Sequence, residues 1–302
     1  GGEGVDFADK PDGPFENGTR IDTGGYRGID PAIFIDDDGQ AYYLWGQFSL
    51  KIAKLNPDMA SLDLSSIRDG ILTDAEHSFH EGVFMVKRAG VYILVYTGAS
   101  RGDTASTMEY ATSRSLYGPY TYRGVIIDNR QCNPRNWNNH GSLVEFKGRW
   151  YVLYHRSTHG CKSMRKACME PITIHDDGTI PEVEMTTQGA GPPLDACART
   201  DAARACLLYG LVQIRGTADG AERLERIADE DWVMFKYLDF GSGATSFSVR
   251  VQPGRSPVRI VARNRRPWGS VLAEVRVPAA AGAQEGSIEV TVPARAVTDT
   301  SA

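Results

Sequence analysis

Three stretches of this chain share one pattern: an ionisable residue, a short apolar run, a glycine turn, then an aromatic-rich run. The first goes from Asp30 through Ile33-Phe34-Ile35 to Gly39, then Ala41 to Trp45. The second goes from Glu81 through Val83-Phe84-Met85-Val86 to Gly90, then Val91 to Tyr96. The third goes from His140 through Leu143-Val144 and Phe146 to Gly148, then Trp150 to Tyr154. The ionisable residue precedes its glycine by 9, 9 and 8 positions, and the glycines are 51 and 58 residues apart. A period near fifty, built of short strands and tight turns, is the mark of a β-propeller blade. The residue heading each copy then faces one shared place, the central channel. A single place that receives an Asp, a Glu and a His is a candidate active site.

Composition narrows the classes. The 302 residues are enough for two domains, and 41% are hydrophobic, enough for ordinary cores. A formal net charge of −5 without a dominant Lys/Arg cluster argues against nucleic acid and anionic membrane as partners. No apolar run is long enough to span a membrane. The five cysteines include Cys161 and Cys168, which flank an expected hairpin; a disulfide there and buried free thiols are equal readings. The spacings do not resemble a zinc site.

Within each copy the runs are rich in Tyr, Val, Ile and Phe and broken by Gly or Asp-Gly, which reads as strands joined in hairpins. Met108 to Tyr120 reads as an outer strand plus turn, and Val5 to Phe15 is its partial echo, sharing the Gly-Pro-aromatic turn. The chain is therefore expected to open on the end of a blade whose inner strands lie upstream. The propeller is expected at 1–190, with Gly189 to Pro193 as linker. Residues 191–302 are expected to form a second, all-β sandwich, from the partly alternating runs at Asp231 to Gly243 and Thr245 to Val251. The fold class expected is all-β: an incomplete five-bladed propeller followed by a sandwich.

Glycoside hydrolysis needs two carboxyl groups, one to protonate the leaving oxygen and one to activate water or attack the sugar. Glu81 and Asp30 have that chemistry at equivalent blade positions. A lone carboxylate is more often a solvated turn residue, and Asp36, Asp37 and Asp38 before Gly39 read as a hairpin tip only. His140 is a candidate to hold a sugar hydroxyl, a water or a metal ion. Arg156 would hold a sugar hydroxyl or orient a carboxylate, with a structural ion pair as the equal alternative. Trp45 and Trp137 are candidate stacking platforms, although core packing is the common fate of a lone Trp. Motifs of serine hydrolases, phosphate-binding loops and zinc proteases are absent.

Three stretches carry a family resemblance: Ile29 to Pro31 with Phe34 to Gly39, His80 to Gly82 with Lys87-Arg88, and Asn139 to Gly141 with Trp150 to Arg156. In this order they resemble glycoside hydrolase family 43, a five-bladed propeller that hydrolyses α-L-arabinofuranosyl and β-D-xylosyl linkages with inversion. The resemblance implies that Glu81 is the general acid and that Asp30 tunes and orients it. It places His140 in the channel near a calcium ion or a water. The family's general base is an Asp of a first blade that has no counterpart here, so about two blades are expected upstream and the chain alone is expected to lack full turnover. Residues 205–290 resemble carbohydrate-binding module family 6, through Asp231-Trp232, Asp239 to Ala244 and Phe247 to Val251. Tyr237 and Trp268 are its candidate sugar-stacking residues.

The function these readings imply is cleavage of arabinoxylan or arabinan by an inverting acid/base mechanism. No cofactor is needed for the chemistry, and a structural calcium is the one metal considered. The partner is a plant polysaccharide or oligosaccharide, which implies a secreted or periplasmic protein. In the mechanism, ionised Asp30 raises the pKa of Glu81 by like-charge repulsion. The alternatives are a glycan-binding propeller that does not cut, a purely structural repeat protein, and a retaining fructan hydrolase of the invertase type.

Overall fold

The computed structural model describes residues 4–102, 107–129, 131, 139–158, 161–280 and 286–297. The architecture is nearly all β. Strands β1 (Gly4–Phe7) and β2 (Glu16–Arg20) pair antiparallel. A first four-stranded sheet follows, of β3 (Ala32–Ile35), β4 (Ala41–Trp45), β5 (Ser49–Lys54) and β6 (Arg68–Thr73) in simple meander order. The second four-stranded sheet is β7 (Phe79–Arg88), β8 (Val91–Gly98), β9 (Thr107–Ser113) and β10 (Thr121–Asp128). The third has three strands, β11 (Gly141–Phe146), β12 (Arg149–Thr158) and β13 (Cys161–Ile172). Each expected hairpin is the innermost pair of one sheet. Met108 to Ser113 falls in β9, the third strand rather than the outermost, and β1 with β2 repeats the pairing of β9 with β10.

The sheets pack face to face, and the alternation of side chains along a strand explains why the central strands are apolar throughout. In β4, Tyr42 and Leu44 face the second sheet, while Ala41, Tyr43 and Trp45 face Ile21, Val5 and Ile67 on the other side. In β8, Tyr92, Leu94 and Tyr96 face the first sheet, and Val91, Ile93 and Val95 face the third. A strand buried on both faces cannot carry a polar stripe, so both read as continuous hydrophobic runs. Each such side chain withdrawn from water contributes about 1.5–3 kcal/mol.

The core does not stop at residue 190. Ala203, Cys206, Leu208, Val212 and Ile214 belong to the same buried cluster as Val152, Tyr154 and Ile172 of the third sheet. Beyond that lie short strand pairs. They are β14 (Leu194–Asp195) with β19 (Leu238–Asp239), β15 (Leu207–Tyr209) with β18 (Trp232–Met234), and β16 (Gln213–Gly216) with β17 (Glu222–Glu225). Longer pairs join β20 (Ala244–Val251) to β23 (Ile288–Val297) and β21 (Val258–Arg263) to β22 (Val271–Val277). Past Ile214 the buried hydrophobic residues among the described ones are Ala273, Val275 and Val277, all on β22.

The cysteine expectation is corrected by the third sheet. Cys161 and Cys168 lie on one strand, opposite Thr158 and Tyr154, so seven residue steps of extended chain separate them by about 23 Å. A disulfide needs Cα atoms within about 7 Å, and Cys168 is a free thiol, as are Cys197 and Cys206. No helix among the described residues is long and apolar enough to cross a membrane.

Candidate active site

The three repeat-heading residues meet. Asp30 stands just before β3, Glu81 near the start of β7 and His140 just before β11, so each enters from the inner edge of its own sheet. Their ligand atoms lie within 4.8 Å of one another. His140 Nε2 is 3.2 Å from Asp30 Oδ2 and 3.4 Å from Glu81 Oε1.

Local backbone departures aim each side chain. Asp30 has φ 56°, although it precedes Pro31 and such residues favour extended conformations. Holding a residue there costs about 1–3 kcal/mol, which surrounding contacts must offset. Glu81 pairs with Thr97 between two register shifts, one after Phe79 and one before Phe84. Such bulges re-aim a side chain out of the regular pleat. Gly82 follows at φ 66°, and a Cβ there would lie 2.4 Å from His140 Nε2. Glycine is therefore what lets the imidazole approach Glu81. On the far side, Thr97 Oγ1 donates to Asn139 O at 3.2 Å, tying the residue before His140 to β8.

Electrostatics follow from this crowding. Burial opposes charge on His140, but Asp30 and Glu81 outweigh it and push its pKa up to about 9. At neutral pH His140 is an imidazolium wedged between two carboxyl groups. His155, its ring 6.2 Å away, goes the opposite way: burial, Arg165 and the His140 charge push it down to about 4. It stays neutral, and neither ring nitrogen has a hydrogen-bond partner among the described residues.

Glu81 has only 9% of its side chain exposed. Its Oε2 accepts from Gln47 Nε2 at 2.9 Å and lies 3.8 Å from His80 Nε2. Gln47 was not legible as a site residue, because a lone amide after Trp45-Gly46 carries no motif. His80 carries no signal in the sequence beyond its place in the stretch His80 to Gly82. The separation of Asp30 and Glu81, within 4.8 Å, is too short for an inverting acid and base, which stand about 6.5–9.5 Å apart around a water. It suits an adjacent partner of the acid.

Other candidates land elsewhere. Trp45 is fully buried against Tyr43 and has no face for a sugar, so the stacking role is corrected to core packing. Its alternation toward the β1–β2 side explains this. Arg156 is also corrected: it is 4% exposed, and its guanidinium donates to the carbonyls of Ala203 and Ala205. It fastens the 203–205 segment to the third sheet rather than reaching the channel. Trp137 lies outside the described residues. Tyr237 donates its hydroxyl to Glu184 at 2.7 Å, which holds the ring against the segment after β13. Trp268 is 76% exposed in the turn between β21 and β22.

Calcium takes six to eight oxygen ligands. The trio offers two carboxylates and an imidazole nitrogen 3.2 and 3.4 Å from them, so a calcium ion there would take most of its oxygens from water.

Known proteins place this arrangement. Glycosyl hydrolases family 43 matches residues 2–180. A xylosidase/arabinosidase of Thermoclostridium stercorarium is 31% identical over 246 residues, covering 68% of this chain and 50% of that protein. An arabinoxylan arabinofuranohydrolase of Bacillus subtilis is 29% identical over 332 residues, covering 94% of this chain and 63% of that protein. The chain thus spans about half to two thirds of the length of these relatives. The structure of a Bacillus subtilis family 43 arabinoxylan arabinofuranohydrolase, in complex with cellotetraose, superposes with a TM-score of 0.55 at 27% identity. It covers 97% of this chain and 68% of that one. A calcium-free β-xylosidase/α-arabinofuranosidase from a compost metagenome, in complex with xylotriose, gives 0.52 at 32% identity over 60% of this chain and 65% of that one. With the match covering more than half its length and the three repeat-heading residues converged, the chain belongs to glycoside hydrolase family 43.

Proposed function

We propose that this chain carries the proton-donating side of an inverting glycosidase that cleaves α-L-arabinofuranosyl or β-D-xylosyl linkages of arabinoxylan or arabinan. The observation that carries it is the convergence of Asp30, Glu81 and His140 at the inner strand ends. Glu81 gives its proton to the leaving oxygen as the anomeric C–O bond breaks. A water attacks the anomeric carbon from the opposite face, and its proton passes to a carboxylate that is not part of the trio. Asp30 and the His140 cation hold Glu81 in place, and His140 offsets the charge of the carboxyl pair. The scheme uses side chains and water alone.

The test is sugar release from alkyl and from activated aryl arabinofuranosides and xylosides by a protein that carries this chain together with the base, with Glu81→Gln as the comparison. Loss of alkyl glycoside cleavage by about 10²–10⁴-fold, with the activated substrate largely spared, is expected when a general acid is removed. Equal loss on both substrates counts against the acid role. A glycan-binding role without cleavage is the second reading, favoured because the trio supplies no carboxylate placed to serve as the general base. Sugar binding by calorimetry with no new reducing ends would establish it.

Residues 191–302 we read as a sandwich-type sugar-binding module, with exposed Trp268 as its platform. Unchanged retardation of Trp268→Ala on an arabinoxylan gel would dispose of that role. A polymeric plant substrate implies a secreted or periplasmic location, checked by fractionating the producing cells.

A further inference from the structure

The turn between β4 and β5 is tied to both sides of the site. Gly46 N donates to Ile29 O at 3.2 Å, next to Asp30. Phe48 N donates to His80 O at 2.8 Å, next to Glu81. Between these two anchors stands Gln47, whose amide reaches Glu81 Oε2 at 2.9 Å. The turn is built under strain. Phe48 has φ 60°, an outlier for a bulky residue, and its ring meets His80 edge-on at 4.9 Å. Gly46 has φ 148°, and a Cβ there would lie 2.1 Å from Ser49 O. A third bond, Asp74 N to Phe48 O at 3.0 Å, fixes the far side of the turn. Strained backbone that three hydrogen bonds hold in place points to a function for what it presents. What it presents is the Gln47 amide.

We infer that Gln47 is a positioning residue that aims the Glu81 carboxyl, holding Oε2 by a hydrogen bond from the first sheet while the His140 ring stands 3.4 Å from Oε1 on the third. The inference rests on Glu81 being the proton donor. The Gln47 amide donates to Oε2, and the His140 ring lies 3.4 Å from Oε1, so the two carboxyl oxygens are approached from different sheets. Glutamine suits a group that gains and loses a proton in each cycle. Its N–H serves the carboxylate, and its carbonyl, after an amide flip, serves the carboxylic acid. A lysine in its place would serve only the charged form.

The test is Gln47→Met, which keeps length and removes both donor and acceptor. Gln47 is exposed, so the fold should persist, checked by circular dichroism. In a crystal structure of the variant the Glu81 carboxyl is expected to turn away from His140. Relative to the parent, kcat/KM on an alkyl glycoside is expected to fall about 10- to 100-fold, equivalent to about 1.4–2.7 kcal/mol. The activated aryl glycoside should change less than about threefold, with KM unaltered, since only transition-state alignment is lost. A Glu81 carboxyl that keeps its place in the variant overturns the inference, whatever the kinetics. If the parent cleaves neither substrate, as expected where no base outside the trio is present, the crystal readout alone decides the role of Gln47.

Discussion

His140 should make the stability of this protein depend on alkaline pH. Its pKa rises from 6.5 to about 9 because Asp30 and Glu81 favour the imidazolium more than burial opposes it. A raised histidine stabilises the fold fully below its unfolded value of 6.5, and that contribution disappears as pH rises through about 9. At 1.36 kcal/mol per unit the shift amounts to at most about 3 kcal/mol. With 23% of the side chain exposed, solvent screening removes only part of this. The perturbation is His140→Gln, which cannot carry the charge. Urea midpoints of parent and variant are measured at pH 6, 7.5, 9 and 10. The stability gap is expected to be largest at pH 6, to be smaller by about 1 kcal/mol at pH 7.5, and to have shrunk by up to about 3 kcal/mol by pH 10. Other groups that titrate in this range are common to both proteins and cancel in the difference. A gap that stays constant across the series would refute the argument. It would mean that the imidazole is neutral in the folded protein and contributes by packing alone.

Two further outcomes follow from the packing. Leu94→Ala opens a cavity between the first and second sheets, where the side chain is fully buried, and should cost about 2–5 kcal/mol in denaturant unfolding. Gly82→Ala places a methyl 2.4 Å from His140 Nε2 on backbone at φ 66°, so it should cost about 1–3 kcal/mol and displace the imidazole from Glu81. Both are checked by urea titration, and the second also by the histidine ring signals in NMR. An unmoved His140 resonance in Gly82→Ala would contradict the close approach.

How much was legible in the sequence depended on whether a feature was periodic. The hairpins at Asp30, Glu81 and His140 could be read because burial of both faces of β4 and β8 forces unbroken apolar runs, and glycine must close each turn. The convergence of the three ionisable residues followed from their equal offsets. Gln47 had no such signal, since its role comes from a strained turn that brings it to Glu81 across 34 residues. Trp45 and Arg156 were misplaced for a related reason. A residue type states what a side chain can do, but the face of the strand decides what it meets. For Trp45 that face is the β1–β2 layer, and for Arg156 it is the carbonyls of Ala203 and Ala205. The repeat, the all-β class and the residues that head each copy are written locally in the chain, in its alternation and spacing. The raised pKa of His140, the 4.8 Å cluster and the reach of the core past residue 190 arise from the packing of the folded chain. Those depend on distances between segments far apart in the chain, which no local pattern encodes.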